Sequence, residues 1–263
     1  MKILFIIAGG CRTFLECYDN IYNNLIIPFS DYNKDIIPDI YLYLKLSDPG
    51  KKDLVNWNFD YKQMNKDDII NKINSKHYTD YKILEQSECS DLEHEKNIKN
   101  NNLVTRPKMI SVPNDDFGTH VNGESKSKKP VKRIIRGMQC HYNYKRCGEY
   151  ILELEKKKKI KYDYIVFCRP DLYFLKSVKH YSTFNKNLIC TGDKSDRLAY
   201  IPRKYMEKFF FDRYNVYINN ASNFNNEFFY NIKDVYFKTI KDLWYQDKEQ
   251  DTRLMRPNGL SNK

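Results

Sequence analysis

The stretch YDYIVFCRPDLYF, residues 162–174, decides the fold. Tyr164 to Phe167 are the aromatic and β-branched side chains that a buried strand selects, and Arg169, Pro170 and Asp171 interrupt them. The interruption marks where the strand leaves the core. In open α/β sheets that is the edge where ligands sit.

The residues just before it support the same class. Ile134 to Lys159 reads as one long amphipathic helix, with Met138, Tyr142, Lys145, Tyr150 and Leu154 near its apolar face, and it feeds directly into the strand. At the other end of the chain, KILFIIAGG (2–10) reads as strand and glycine turn. RTFLECYDNIYNNLIIPF follows, with Phe14, Tyr18, Ile21, Tyr22 and Leu25 at helical spacing. Strand, glycine turn and helix open a nucleotide-binding α/β unit. DIYLYLKL (39–46) is a second strand, DDIINKIN a helix, and HYTDYKILE a strand or its approach. NLICTG (187–192) is a short strand, SDRLAYIP follows, and YMEKFFFDRYNVYI reads as helix. In the tail, NNEFFYNIKDVYFKTI reads as helix and DTRLMRPNG as a closing strand or extended arm.

From Glu85 to Pro130 the periodicity fades into polar clusters such as KNIKNNN and NGESKSKKP. A stretch of that kind is expected to be a long flexible loop, lid or insertion. The expected architecture is a single α/β domain over 1–263, Rossmann-like, with a mixed, mostly parallel sheet flanked by helices.

The 263 residues are 41% apolar and 15% aromatic, which excludes a wholly disordered chain, while 30% charge gives a wet surface. No segment has eighteen uninterrupted apolar residues, so no transmembrane helix is expected, and Ile3 to Ala8 is too short for a signal-peptide core. The seven cysteines (11, 17, 89, 140, 147, 168, 190) form no CxxC pair. They read as free thiols, and with the missing leader they point to a cytoplasmic location.

The net charge of +11 is concentrated in residues 126–161, where thirteen Lys or Arg face three Glu. EKKKKIK (155–161) is a nucleic-acid patch on one reading and a solvated helix end on the other, since cations favour the last turn of a helix. The run lacks the interleaved aromatics of single-strand binders, and nucleic acid is the less favoured partner. Arg133 and Arg136 are placed to attract an anionic substrate.

Two segments carry the candidate chemistry. AGGCRTF (8–14) sets Ala8, Gly9, Gly10 and Arg12 at the mouth of the first strand. Glycine lets backbone amides approach a phosphate there and arginine binds it bidentately, although an ordinary tight turn explains the same residues. Asp171 stands at the end of the strand in 162–174, where a carboxylate can hold a divalent cation; an Arg169–Asp171 structural pair explains it equally well. Asp196 and Arg197 repeat the pattern in SDRLAY and read as a sugar contact or a loop salt bridge. Glu227 is a helix-start carboxylate or a general base. His77, His94, His120, His141 and His180 are isolated, so a histidine-based metal site is not expected.

In their order, AGGCRTF, GMQCHYNYKRCGEYI, YDYIVFCRPDLYF, SDRLAYIPRKYM and NNEFF resemble a group of GT-A-type glycosyltransferases of large DNA viruses and microbial glycan-synthesis loci. The resemblance covers the first 50 residues and most of 134–260. It implies a UDP or GDP nucleotide-sugar donor across the C-terminal edge of the sheet and transfer of the sugar to a hydroxyl of a glycan or other acceptor. Arg12, Arg169 and Arg197 would bind the donor, Asp171 would stand on the metal or diphosphate side, Asp196 would contact the sugar, and Glu227 would be the base. The chain has RPD where such enzymes carry DxD, so a Mn or Mg ion is an open requirement. Arg12, Arg197, Arg253 and Arg256 offer the same neutralisation of a leaving diphosphate. The Lys, Asn, Ile and Tyr richness agrees with a viral, AT-rich coding genome. The alternatives are a nucleic-acid-binding protein using the basic 126–161 region, and a catalytically inactive glycosyltransferase-like interaction protein.

Overall fold

The computed structural model describes residues 1–11, 13–30, 37–46, 65–84, 130–191, 197–212 and 214–215, with backbone alone for 130–140, 244–246, 252–256 and 259–260. β1 (Ile3–Gly10) leads to α1 (Phe14–Ile21), whose buried residues Phe14, Cys17, Tyr18 and Ile21 lie at helical spacing. A π-helical turn, Tyr22–Ile26, then joins α1 to α2 (Ile27–Phe29). Pro28 explains the change of winding. It has no N–H for the carbonyl of Asn24 and its ring crowds that carbonyl, so the ladder widens. The Asn24 carbonyl accepts the N–H of Val178 instead, at 2.8 Å.

β2 (Asp39–Lys45), α3 (Lys66–Asn74) and β3 (Asp80–Leu84) follow. The Asn65 side chain caps α3 by accepting the Asp67 N–H at 3.0 Å, and Asp67 and Asp68 complement the positive end of the helix. α4 (Pro130–Lys158) is a single 29-residue helix, about 43 Å long at 1.5 Å per residue. It enters β4 (Tyr164–Cys168), and β5 (Leu172–Phe174), β6 (Ile189–Thr191) and β7 (Leu198–Pro202) come next. Over YMEKFFFDRYNVYI the described residues are helical as expected, but irregularly so: a 3₁₀ turn at Arg203–Tyr205 leads into α-helical residues 206–207, a π-helical turn at Lys208–Asp212 and α-helical residues 214–215. β8 (Trp244–Gln246), β9 (Thr252–Arg256) and β10 (Gly259–Leu260) close the chain.

The main sheet has seven strands in the order β3-β2-β1-β4-β7-β6-β8. β3, β2, β1 and β4 run parallel, β7 is antiparallel to both of its neighbours, and β6 and β8 are parallel to each other. The protein is thus α/β with a mixed, mostly parallel, Rossmann-like sheet. β5 belongs to a second, three-stranded sheet with β9 and β10.

Both faces of the main sheet are covered, which is why its central strands are apolar at every position. In β1, Ile3, Phe5 and Ile7 point towards α1, α2 and α3, and Leu4, Ile6 and Ala8 point towards α4 and the Lys208–Asp212 turn. β4 divides likewise, with Tyr164, Val166 and Cys168 on the first face and Ile165 and Phe167 on the second. α4 buries Tyr144, Cys147, Ile151 and Leu154. Of the apolar face read from spacing, Tyr142 and Leu154 are buried, whereas Lys145 and Tyr150 are half-buried and flank the stripe. Gly148 lets the Lys208–Asp212 turn lie close, because a Cβ there would come within 2.8 Å of Phe210 and of the Phe211 ring.

The expected loop over 85–130 lies outside the described residues apart from Pro130, the first residue of α4. The helix expected over NNEFFYNIKDVYFKTI also lies outside them. Among the described residues, no helix is long and apolar enough to cross a membrane.

Candidate functional site

β1 lies between β2, the next strand along the chain, and β4, which the chain reaches only after β3 and α4. The C-terminal ends of β1 and β4 therefore flank the switch point of the sheet, where the connections part and leave a crevice. Gly9 and Gly10 end β1, and Arg169, Pro170 and Asp171 follow β4. Segments 160 residues apart in sequence meet here.

Gly9 has φ +144°, and a Cβ on it would lie 3.0 Å from Cδ of Pro170. Only glycine meets both conditions without a shift of the backbone. Cys11 continues the ladder past the end of β1 by donating its N–H to the Lys45 carbonyl at 2.8 Å.

After Cys168 the chain turns. Pro170 occupies the second position of a turn in which the Leu172 N–H reaches the Arg169 carbonyl at 3.4 Å, and its fixed φ suits that place. Asp171 is 1% exposed. Its two oxygens accept Nε and Nη2 of Arg169 at 2.8 and 2.6 Å, a bidentate fork that matches guanidinium to carboxylate. Arg169 keeps 31% of its side chain exposed, so the pair is buried at the carboxylate and open at the guanidinium. Arg169 also donates its backbone N–H to the carbonyl of Arg197 at 2.9 Å, which joins Arg197 to the same edge just before β7.

α1 holds the turn from behind. Asn20 on α1 donates its amide to the Phe174 carbonyl at 3.0 Å and accepts the Phe174 N–H at 2.7 Å, as a neighbouring strand would. Asn24 Oδ1 accepts the Ser177 hydroxyl at 3.0 Å. On its other side β5 pairs antiparallel with β9, with Tyr173 opposite Arg253 in the register.

Cys11, Cys17 and Cys168 are buried beside this edge. Burial pushes the Cys11 and Cys17 thiols up to about 12, and the negative charge of Asp171 adds to the rise at Cys17. The Cys168 thiol is raised well above its ordinary value by burial first and then by Asp171. These thiols stay protonated near neutral pH, which makes them packing groups and not nucleophiles.

The structure thus brings together Ala8, Gly9, Gly10, Arg169, Asp171 and Arg197. Arg12, Asp196 and Glu227 lie outside the described residues. Arg136 is on α4, eight residues before Tyr144, whose ring packs on Phe167 near the end of β4 at 4.7 Å between centroids. The backbone of Arg136 therefore lies about 12 Å further along the helix axis, beyond the C-terminal edge of the sheet. Among the described residues, no group of three or more His, Cys, Asp or Glu is placed to hold a metal ion. With both oxygens of Asp171 taken by Arg169, the described residues do not assemble a cation site there. The positive charge of the described residues at this edge is that of Arg169 and Arg197, with Lys45 at the end of β2 opposite Gly10.

Asn20 and Pro170 are the site residues that sequence reasoning missed as partners of β5 and Gly9. Pro170 was legible as a rigid strand exit. An asparagine on a helix carries no signal that it will bond a strand 154 residues away. The chain matches no known protein-family model and is similar to no curated protein.

Proposed function

We propose that the protein is a nucleotide-sugar-dependent glycosyltransferase with a GT-A-like domain, its donor bound across the C-terminal ends of β1 and β4. One observation carries the reading: Gly9 and Gly10, which end β1, and the Arg169–Asp171 pair after β4 converge on the switch point, with Arg197 joined to Arg169 through the backbone. The mixed, mostly parallel sheet agrees with what the GT-A resemblance implies.

In this reading the end of β1 at Gly9 and Gly10, with no side chains in the way, lies against the donor diphosphate, and Arg169 neutralises the charge that grows on it as the sugar leaves. Asp171 is a positioning residue: it fixes the plane of the Arg169 guanidinium. Arg12 and Arg197 add positive charge, Asp196 and Arg197 contact the donor sugar, and Arg136 draws anions towards the crevice. The acceptor oxygen bonds to the anomeric carbon as the bond from that carbon to the diphosphate oxygen breaks. The electron pair leaves on the diphosphate, and the acceptor proton passes to Glu227. A divalent cation would supply further neutralisation of the diphosphate, and no step here depends on one.

A panel of UDP, GDP and CMP sugars, each with and without Mn, tests the reading by thermal shift. Stabilisation by a UDP or GDP sugar, followed by release of its nucleoside diphosphate in the presence of a glycan acceptor, is expected. Stabilisation by an oligonucleotide alone, with none by any nucleotide sugar, contradicts it.

A further inference from the structure

The opposite edge of the sheet carries a different surface. α4 ends in three lysines, Lys156 to Lys158, Lys159 and Lys161 follow, and Lys2 lines a cavity with Asp39 and Tyr162 on the same edge. Lys158 is ion-paired with Asp39, and Lys161 bonds Glu155 at 2.9 Å. Lys156, Lys157 and Lys159 are exposed and make no ion pair with a described residue.

Lys159 is also held in an unfavourable backbone conformation. The helix closes with the Ile160 N–H on the Glu155 carbonyl at 3.1 Å and the Lys159 N–H on the Lys156 carbonyl at 3.3 Å. This paired ending sets its first residue past the helix in the left-handed region, where glycine is the usual choice. Here that residue is Lys159, with φ 53°, the one non-glycine residue with positive φ among those described. A cation stands where glycine would be less strained, and such outliers are found where a side chain is needed.

Exposed aliphatic side chains share this edge. Among the described residues four large hydrophobics are exposed, and three of them, Met1 (48%), Ile37 (52%) and Leu152 (37%), lie here. Met1 and Ile37 rim a cavity of about 100 Å³ with Lys2, Asp39 and Tyr162. Leu152 rims an open hollow of about 420 Å³ with Lys156, Lys159 and Ile160. The two hollows are neighbours, because Tyr162 donates its hydroxyl to Asp39 at 2.7 Å and its N–H to Glu155 at 3.1 Å.

We propose that this edge docks the protein on an anionic lipid surface, with Lys156, Lys157 and Lys159 on the headgroups and Leu152 and Ile37 entering the interface between them. Charge complementarity selects the partner. Clustered lysines are point charges suited to a diffuse anionic surface, and exposed aliphatics suit the headgroup boundary. A nucleic acid calls for arginine forks and stacking rings. The lysine run holds no arginine, and its adjoining ring, Tyr162, is buried with its hydroxyl on Asp39. Docking at this edge turns the edge bearing Gly9 and Arg169 away from the bilayer, one strand length off. For the eight residues of β1 that is about 26 Å.

Flotation of the full chain with phosphatidylcholine vesicles, with and without phosphatidylserine, tests the inference at low and high salt. Binding only to the anionic vesicles, lost at high salt, is expected. Lys159→Gly should raise the Tm by removing the left-handed strain and weaken vesicle binding about fivefold, the factor for one lysine near an anionic surface. A purely structural Lys159 would raise the Tm and leave binding unchanged, which overturns the inference. Leu152→Ser should weaken binding at constant charge. The triple variant Lys156→Glu/Lys157→Glu/Lys159→Glu should lose vesicle binding and keep nucleotide-sugar binding, so docking and donor binding are judged apart. Equal binding to neutral vesicles, no vesicle binding, or lysine-dependent binding of an oligonucleotide in preference to vesicles would each overturn it.

Discussion

Gly9 and Pro170 touch across the switch point: a Cβ built on Gly9 would lie 3.0 Å from Cδ of Pro170, and Gly9 has φ +144°. The contact ties the glycine end of β1 to the turn that presents Arg169. Gly9→Ala should therefore cost about 1–3 kcal/mol, from a disfavoured backbone angle and from displacement of the proline ring. Urea unfolding measures this, and a variant as stable as the wild type would show that the end of β1 and the turn are not in contact.

Asp171→Asn keeps the shape of the fork but removes its charge. Arg169 then loses the partner that fixes its plane, and a loss of about 2 kcal/mol in stability follows from weakening charge-assisted hydrogen bonds. In the enzyme reading the variant should bind the nucleotide donor more weakly and keep its acceptor KM, since Asp171 acts through Arg169. An acceptor KM that rose with an unchanged donor KM would move Asp171 to the acceptor side.

Asn20→Ala removes both hydrogen bonds that α1 makes to the Phe174 backbone. The expected cost is about 1–2 kcal/mol, with faster hydrogen exchange at the Phe174 amide and its neighbours in β5. Unchanged protection of Phe174 would show that β9 alone holds β5.

Glu155 predicts a pH dependence far from the crevice. It is 2% exposed; burial by itself would raise its carboxyl, but two bonds from Arg203 at 2.7 and 2.8 Å, one from Lys161 and the Tyr162 N–H outweigh burial and hold it at about 2. A folded value below the unfolded one means that the carboxylate form is the stabilising one. Its contribution is complete above the ordinary value of 4.5 and is lost as pH falls from there towards about 2. The gap corresponds to about 3 kcal/mol. Urea midpoints measured from pH 7 down to pH 2 should fall more steeply in the wild type than in Glu155→Gln, and parallel curves would contradict the assignment.

Much of the parallel half of the fold was legible because periodicity and position agree there. Ile3 to Ala8, Asp39 to Leu46 and Tyr164 to Phe167 each read as strands and form β1, β2 and β4. DDIINKIN reads as helix and lies in α3, and the tail arm DTRLMR holds β9. Strand direction was not legible. β7 lies antiparallel beside β4, and the burial pattern along LAYIP is the same for either direction. β5 and β8, three residues each, are too short to carry a period, and β5 exists through the amide of Asn20 and the pairing with β9. At the site, the residue types were legible and their partners were not. Arg169 and Asp171 stand two apart in an apolar run, which suits a ligand site and an ion pair alike, and only the fold shows the fork closed.

The central claim is that the C-terminal edge of β1 and β4 binds a nucleoside diphosphate through Arg169. Titration calorimetry with the stabilising nucleotide sugar, on the wild type, on Arg169→Gln/Asp171→Asn and on Lys204→Ala, tests it most directly. The double variant removes both charges of the pair together, so that neither is left buried alone, and Lys204 bonds Asn187 on the surface away from the crevice. The account predicts wild-type affinity for Lys204→Ala and a loss of about 10- to 100-fold for the double variant, the value of one charged hydrogen-bonding group. Equal affinity in all three proteins, or no nucleotide binding by the wild type, would contradict it.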